Sequence, residues 1–266
     1  MSEPAKSVVT YECKDGIATI TLNRPEKLNA FNDDMVRELM AVFNRFDLDD
    51  DANCAILCGA GRAFSSGADV RARQLRSSED LRKGGGPSAQ NAKSSDIMTR
   101  SINWKPVIAA VQGYAVGLGT GLALGCDLVV AESGAKFQIT ETPRGLAGSG
   151  KLMVLMAYRG QGSFATEVTL TGRFFTSEEA HAAGVIDRVA PQGKYMDVAR
   201  ELAVAINRNP PLAVRASVMV RRWHIEDLAR EANRYAGLTK LYLTEDFAEA
   251  TKAFVEKRPP KPFKAR

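Results

Sequence analysis

The sequence predicts an α/β fold in which short buried strands, glycine-marked turns and helices alternate, followed by a helical C-terminal region. Apolar runs at residues 54–59 and 107–111 each lead into a glycine-marked loop, as expected for buried strands that end in tight turns. From Gly193 onward the pattern is helical, with a break at Pro210 and Pro211. Strand-turn-helix units therefore come first and helices take over afterwards.

Length and composition indicate a globular protein. The chain has 266 residues, of which 45 % are hydrophobic and 25 % charged, so it can bury a large core. The N-terminus lacks a basic segment followed by an apolar core, and we expect no signal peptide. The four cysteines have no histidine companions at metal spacing. We therefore expect free thiols in a reducing cytoplasm and no metal site.

The charge distribution gives no reason to expect a nucleic-acid partner. The net charge is +5, and no basic face interleaved with aromatic residues is visible, as a nucleic-acid protein would have. Basic residues do crowd the C-terminus, where they form either a solvated end or part of a site for an anionic ligand.

The first elements are predicted to be a hairpin and a helix. Residues 8–22 contain two strand-like runs around the turn signal Asp15-Gly16. Asn32 is a good N-cap for a helix. The apolar residues after it recur at helical spacing: Met35, Val36, Leu39, Met40, Phe43 and Phe46.

The next segment combines a strand, a loop and a polar stretch. Residues 54–59 predict a buried strand, and the loop GAGRAFSSGADV follows directly. Residues 72–96 are polar and contain three successive glycines, so we expect a mobile surface segment. A short amphipathic helix is predicted around Ser95–Trp104.

The stretch from Lys105 to Leu128 organises the chain. It carries no charge between Pro106 and Cys126, but repeated glycines argue against a membrane helix. We predict a buried strand, a turn at residues 112–113, and a helix entered through residues 117–119. The amides at such a helix start favour an anion. They would serve a phosphate or a developing oxyanion, unless the glycines only allow tight packing.

The remaining elements follow in order. The runs LVVAE and AKFQIT predict strands, and a helix is expected from about Ser149 to Tyr158. Ser177 is predicted to cap a helix that ends at Gly184. The run VIDRV predicts a last short strand before the helical region.

The two glycine-marked loops share one design. In each, a buried strand feeds a loop whose backbone N–H groups can be exposed at the strand's end. Two such donors converging on one oxygen would make an oxyanion hole, and each would contribute about 3 kcal/mol of transition-state stabilisation.

Five segments resemble the enoyl-CoA hydratase/isomerase family, the crotonase superfamily. They are NRPEKLNAF, FSSGADV, KPVIAAVQGYAVGLGTGLALGCDLVVA, AKFQITETPRGL and EDFAEATKAFVEKR.

The resemblance implies a crotonase-like spiral of ββα units with the coenzyme A and oxyanion sites over residues 1–192. It implies a helical trimerisation region over residues 193–266, giving a homotrimer or a dimer of trimers. An acyl-CoA thioester is the implied substrate, with no separate cofactor, since coenzyme A is part of the substrate. We expect a cytoplasmic enzyme without a membrane or nucleic-acid partner.

The resemblance also assigns roles to residues. The amides of Ala68 and Leu118 would bind the thioester oxygen, and Glu141 would be the acid–base group. Asp69 has a second interpretation, as a cap for the next segment, which we favour over proton transfer. The implied substrate-binding residues are Lys27, Leu28, Ala30, Ser66, Asp69, Val70, Arg71, Val116 and Pro143.

Three departures from the family pattern bear on the reaction. Gly121 stands where hydratases carry the first of two glutamates, Leu118 stands where they carry glycine, and Gly148 replaces a common proline. One carboxylate suffices to move a proton between two carbons, whereas hydration shares its work between two. We therefore expect an enoyl-CoA isomerase or hydratase of fatty-acid or related acyl-CoA catabolism, with isomerisation favoured. The alternative is an acyl-CoA-binding protein of the same fold without catalysis.

Overall fold

The computed structural model describes residues 7–84, 86, 101–147, 150–236 and 240–266. The strands are β1 (Val9–Lys14), β2 (Ile17–Leu22), β3 (Cys54–Gly59), β4 (Val107–Val111), β5 (Tyr114–Val116), β6 (Leu128–Glu132), β7 (Lys136–Gln138), β8 (Phe174–Thr176) and β9 (Arg188–Ala190). The helices are α1 (Asp33–Leu48), α2 (Val70–Arg73), α3 (Ser78–Gly84), α4 (Leu118–Gly125), α5 (Gly150–Arg159), α6 (Gly162–Thr171), α7 (Ser177–Ala182), α8 (Tyr195–Asn207), α9 (Pro211–Ala236) and α10 (Glu245–Glu256).

The strands form two sheets. The larger has the order β1-β2-β3-β4-β6-β9, in which β1 and β2 are antiparallel and the other pairs are parallel. The smaller has the order β5-β7-β8, and two isolated parallel bridges, Phe31 with Ala68 and Ser65 with Ala115, extend it. Successive units thus place one strand in the large sheet, one extended segment in the small sheet, and then a helix. The α/β spiral of ββα units is confirmed, as is the helical C-terminal region.

The large sheet is covered on both faces. All residues of β3 and β4 are buried. Apolar residues of α1, α4 and α5 cover one face, and α8 covers the other through Ala199 and Ala203. Because β3 and β4 are parallel neighbours, the loops that follow them leave from the same edge of the sheet. This topology brings the two glycine-marked loops together.

The N-terminal turn and cap signals are confirmed. Asp15 and Gly16 have φ of 55° and 75°, so both occupy the left-handed region that a two-residue hairpin turn requires. The strands pair directly on either side of them. Asn32 caps α1 by accepting a hydrogen bond from Met35 N at 2.9 Å.

Several elements differ from the sequence predictions. The uncharged central stretch contains an additional short strand, β5, between the predicted turn and α4. α6 and β8 were not predicted. Thr176, not Ser177, caps α7, because it forms a reciprocal capping box with Glu179.

The polar segment also differs where it is described. Residues 78–84 form α3 within the segment that was expected to be mobile. Residues 101–104 contain bends in place of the end of the predicted helix, and Asp47 accepts hydrogen bonds from the backbone N–H groups of Ile102 and Asn103 there. The rest of both predictions, residues 85 and 87–100, lies outside the described residues.

In the part of the chain that the structure describes, no helix has the length and apolar character needed to cross a membrane. All four cysteines are free thiols, of which Cys54, Cys58 and Cys126 are buried.

Candidate active site

The side-chain amide of a buried asparagine holds the loop after β3 in place. Asn29 is fully buried, and its Nδ2 donates to the carbonyl oxygens of Ala60 at 2.9 Å and Ala63 at 2.8 Å. The Ser65 hydroxyl donates to the Asn29 carbonyl oxygen at 2.9 Å. A buried polar group with satisfied hydrogen bonds favours a single arrangement. These bonds therefore set where the next residues of the loop lie.

The Ala68 amide points away from its neighbouring segment. Phe31 N–H donates to the Gly67 carbonyl at 2.8 Å, and Asp69 N–H donates to the Phe31 carbonyl at 2.9 Å. Ala68 lies between these two bonded positions. In a parallel bridge of this kind, its own N–H points away from the segment that contains Phe31. No residue in the described ranges accepts a hydrogen bond from Ala68 N–H.

A second amide donor lies at the start of α4. Leu118 is the first residue of this helix, so its N–H has no partner in the preceding turn. A Cβ built on Gly67 would collide with the Val116 carbonyl oxygen and would lie 3.5 Å from the Leu118 nitrogen. Gly67, with φ of 89°, thus allows the loop to approach the helix start closely. Gly67 and Leu118 consequently lie close together, and Ala68 follows Gly67 directly.

Glu141 contributes a carboxyl group from the third unit of the spiral. It lies between β7 and a 3-10 turn, Thr142–Arg144. Its Oε2 is buried and has no hydrogen-bond partner among the described residues. Burial raises the pKa of Glu141, and backbone amides of Thr140 and Glu141 oppose that rise. A buried carboxyl oxygen without a hydrogen-bond partner is suited to exchanging a proton with a ligand.

These three groups meet in one large cleft. Ala68, Leu118 and Glu141 all line a hollow of about 1500 Å³. Among the described residues, no three His, Cys, Asp or Glu side chains are grouped as a metal ion would require. The cleft therefore combines two main-chain donors with a carboxyl group. That set can stabilise negative charge on an oxygen and move a proton nearby.

Comparison with known proteins identifies the family. The model of the family described as "Enoyl-CoA hydratase/isomerase" matches residues 12–266. The chain belongs to the enoyl-CoA hydratase/isomerase family. It is accordingly a crotonase-type acyl-CoA enzyme.

Individual family members agree with this assignment. An enoyl-CoA hydratase of Mycobacterium tuberculosis is 37% identical over 91% of this chain and 91% of its own. A 1,2-epoxyphenylacetyl-CoA isomerase of Escherichia coli is 33% identical over 92% of this chain and 94% of its own. The crystal structure of a probable enoyl-CoA hydratase/isomerase from Mycobacterium abscessus has a TM-score of 0.70 at 37% identity, covering 96% of this chain and 98% of its own.

Most of the substrate-binding residues expected from the family line the same cleft. They are Lys27, Leu28, Ala30, Ser66, Asp69, Val70, Arg71 and Val116. Pro143 is not among the residues that line it. Its side chain is exposed and packs against Gly172.

Asp69 has a structural role. Its Oδ1 accepts a hydrogen bond from Ala72 N at 3.3 Å and so caps α2. Its other oxygen lies 3.7 Å from the Arg24 guanidinium. Because both carboxylate oxygens have partners, Asp69 is a poor candidate for proton transfer.

Gly121 leaves open space where hydratases of the family carry a glutamate. A Cβ built on Gly121 would meet only the Leu152 side chain, at 3.9 Å. Both residues line the cleft. The space at Gly121 is therefore available to a ligand or to water.

Sequence reasoning missed two groups at the site. Asn29 lies within the recognised segment NRPEKLNAF, but its role depends on carbonyl groups that fold back onto it. Arg144 lines the cleft, and its guanidinium carbon lies 3.3 Å from the ring centroid of Phe254 on α10. The position of Arg144 three residues after Glu141 is only a weak sequence signal for a site residue. Its contact with α10 joins segments that are far apart in the sequence.

Proposed function

We propose that this enzyme isomerises the double bond of an enoyl-CoA thioester, with Glu141 as its acid–base group. The observation that carries the proposal is the buried Oε2 of Glu141, which has no hydrogen-bond partner among the described residues and lies in a cleft that Ala68 and Leu118 also line. Gly121 supplies no second carboxylate. A single proton carrier fits isomerisation better than hydration.

The reaction balances with this one carrier. The Glu141 carboxylate removes a proton from the α carbon of a 3-enoyl thioester, and the electron pair moves onto the thioester oxygen. The protonated Glu141 then returns the proton to the γ carbon as the double bond shifts to the α,β position. The chemistry is redox-neutral and needs no cofactor beyond the coenzyme A of the substrate.

The two amides stabilise the intermediate. Negative charge on the thioester oxygen would accept hydrogen bonds from the N–H groups of Ala68 and Leu118. Such donors are fixed by the fold and need not reorganise, and each contributes about 3 kcal/mol in comparable sites. The positive end of α4 adds to this effect.

Hydration is the second candidate. The open space at Gly121 could hold a water molecule beside the β carbon of a 2-enoyl thioester. The water would then need activation by Glu141 or by a polar group of the substrate. Several relatives carry hydratase names, which supports testing both reactions.

Glu141→Gln tests the proposal. The amide keeps the shape of the side chain but cannot carry the proton, so turnover should fall by at least about 100-fold. We would measure deuterium exchange at the α and γ carbons of 2-enoyl- and 3-enoyl-CoA substrates, for the wild type and for the variant.

The same assay separates the alternatives. Exchange at the γ carbon by the wild type, lost in the variant, supports isomerisation. Formation of a 3-hydroxyacyl product supports hydration instead. Binding of the thioesters without exchange or product would contradict catalysis and favour an acyl-CoA-binding protein. A Glu141→Gln variant that stays active would show that Glu141 is not the acid–base group.

We further propose a homotrimer, or a dimer of trimers, in the cytoplasm. α9 presents apolar side chains that are mostly exposed in the single chain: Leu212 at 76 %, Val220 at 67 % and Trp223 at 66 %. Their spacing places them near one side of the helix. Exposed apolar surface of this kind is typical of a subunit interface.

A further inference from the structure

One charged group in the cleft has no part in the proposed reaction. Arg144 lines the cleft three residues after Glu141, and its guanidinium stacks on the ring of Phe254. Stacking covers a face of the guanidinium but leaves its in-plane N–H donors available. Those donors can still bind a planar anion at the edge of the group.

The charge of Arg144 lacks a compensating carboxylate. No Asp or Glu in the described ranges forms an ion pair with it, and burial lowers the pKa of Arg144 to about 10 with no opposing contribution from an acid. Two other cations of the cleft differ. Lys151 lies 3.1 Å from Glu226, and Arg73 lies 3.6 Å from Asp33.

Further cations that line the cleft are in water. Lys27, Arg71 and Lys257 are exposed, so solvent stabilises their charge. Arg144 is partly withdrawn from solvent, and a buried charge without a partner is costly. A bound anion would offset that cost at Arg144.

Glu141 is not the missing partner. The pKa of Glu141 is raised by burial with no lowering contribution from a neighbouring cation. Its Oε2 also has no hydrogen-bond donor among the described residues. Glu141 therefore does not neutralise Arg144, and a ligand that reaches both must carry separate features for each.

We infer that the acyl group of the substrate carries a carboxylate that binds Arg144, which makes the substrate the coenzyme A monothioester of a dicarboxylic acid. This inference rests on the proposed function, since it places a thioester in the cleft with its reacting carbons at Glu141. A guanidinium binds a carboxylate through two parallel hydrogen bonds, and such bonds are stronger where water is partly excluded.

Binding of a matched pair of saturated thioesters tests the inference without requiring turnover. Glutaryl-CoA and pentanoyl-CoA have acyl groups of the same carbon number and differ in the terminal carboxylate. We expect the wild type to bind glutaryl-CoA about 10- to 100-fold more tightly, the range for hydrogen bonds between charged groups. Calorimetry would measure both affinities.

Three variants locate the effect. Arg144→Gln should weaken glutaryl-CoA binding more than pentanoyl-CoA binding and so abolish the preference. Arg144→Lys, which keeps the charge but loses the two-pronged geometry, should retain only part of it. Arg200→Gln is the matched control, because Arg200 is exposed on α8, which covers the other face of the sheet. It should bind both thioesters like the wild type, and thermal melts would establish that all variants fold.

The outcomes distinguish this inference from the proposed function. Equal affinity of the wild type for the two thioesters, or equal weakening of both by Arg144→Gln, would overturn the carboxylate assignment alone. A loss of preference in Arg200→Gln would overturn it as well. Failure of the wild type to bind either thioester would contradict the proposed function itself.

Discussion

Glu141 has its carboxyl group in a place where water stabilises charge poorly. Burial is the largest influence on its pKa, which lies above the ordinary glutamate value of 4.5. A base must be ionised to accept a proton. The same burial that makes Glu141 a stronger base therefore delays its ionisation to higher pH.

The pH dependence of turnover should show the raised pKa of Glu141. We expect kcat/KM for a 3-enoyl-CoA to rise with pH through an apparent pKa above 4.5, because only the ionised carboxylate removes the α proton. A profile measured from pH 4 to pH 8 would check it. A rate that is already constant at the acid end would contradict the raised pKa.

Stability should respond to the same group. Since the pKa of Glu141 is raised in the folded state, the folded protein binds more protons than the unfolded chain between pH 4.5 and the folded pKa. Stability is then lost as pH rises through that window. Glu141→Gln removes the buried charge, so it should be more stable than the wild type at neutral pH and lose this advantage below about pH 4.5. Urea unfolding at both pH values would measure the difference, and an advantage that persists in acid would point to packing.

At the scale of elements, the close approach of two loops depends on one glycine. Gly67→Ala must place a methyl group against the Val116 carbonyl in a backbone region that alanine rarely adopts. The Ala68 and Leu118 amides should move apart, and kcat should fall by about 100-fold or more, as when one oxyanion donor is removed. Gly162→Ala is the control, because a Cβ there meets nothing within 4 Å. Steady-state kinetics of both variants would decide, and unchanged kcat in Gly67→Ala would contradict the role of this approach.

The elements that sequence predicted share a clear local signal. The Asp15-Gly16 turn and the Asn32 cap each depend on the conformational preference of one or two residues, and both are observed. β5 and β8 have three residues each, too few for a periodic pattern to show. Their stability comes from pairing with β7, which no local pattern reveals.

The candidate site also contains some residues that the sequence could place and others that it could not. The two loops and Glu141 could be placed because each follows a recognisable strand or motif. The hydrogen bonds from Asn29 to the loop after β3 depend on segments that only the tertiary fold brings together, and so does the stacking of Arg144 on Phe254. Pro143 was expected beside the substrate because of its position in the motif, but its ring packs outward against Gly172.

At the scale of the whole molecule, the exposed apolar face of α9 predicts how subunits meet. Val220→Asp or Trp223→Asp would place a charge in the proposed interface, where it would have no partner. We expect either change to shift the particle mass toward a monomer, as measured by light scattering. Leu48→Asp is a matched control, since Leu48 is 65 % exposed at the end of α1. Dissociation by the control alone would assign the interface elsewhere.

The close packing of the Gly67 loop against α4 has a consequence for how this enzyme can change over time. The groups at residues 68 and 118 that face the cleft belong to the peptide backbone, so only proline among the natural amino acids would delete an N–H there. Side chains at 118 and 121 can therefore be exchanged without loss of the hydrogen bonds that we propose for the thioester. A scaffold of this kind separates the task of holding charge from the task of choosing where a proton goes, which accords with the different reactions named among its relatives.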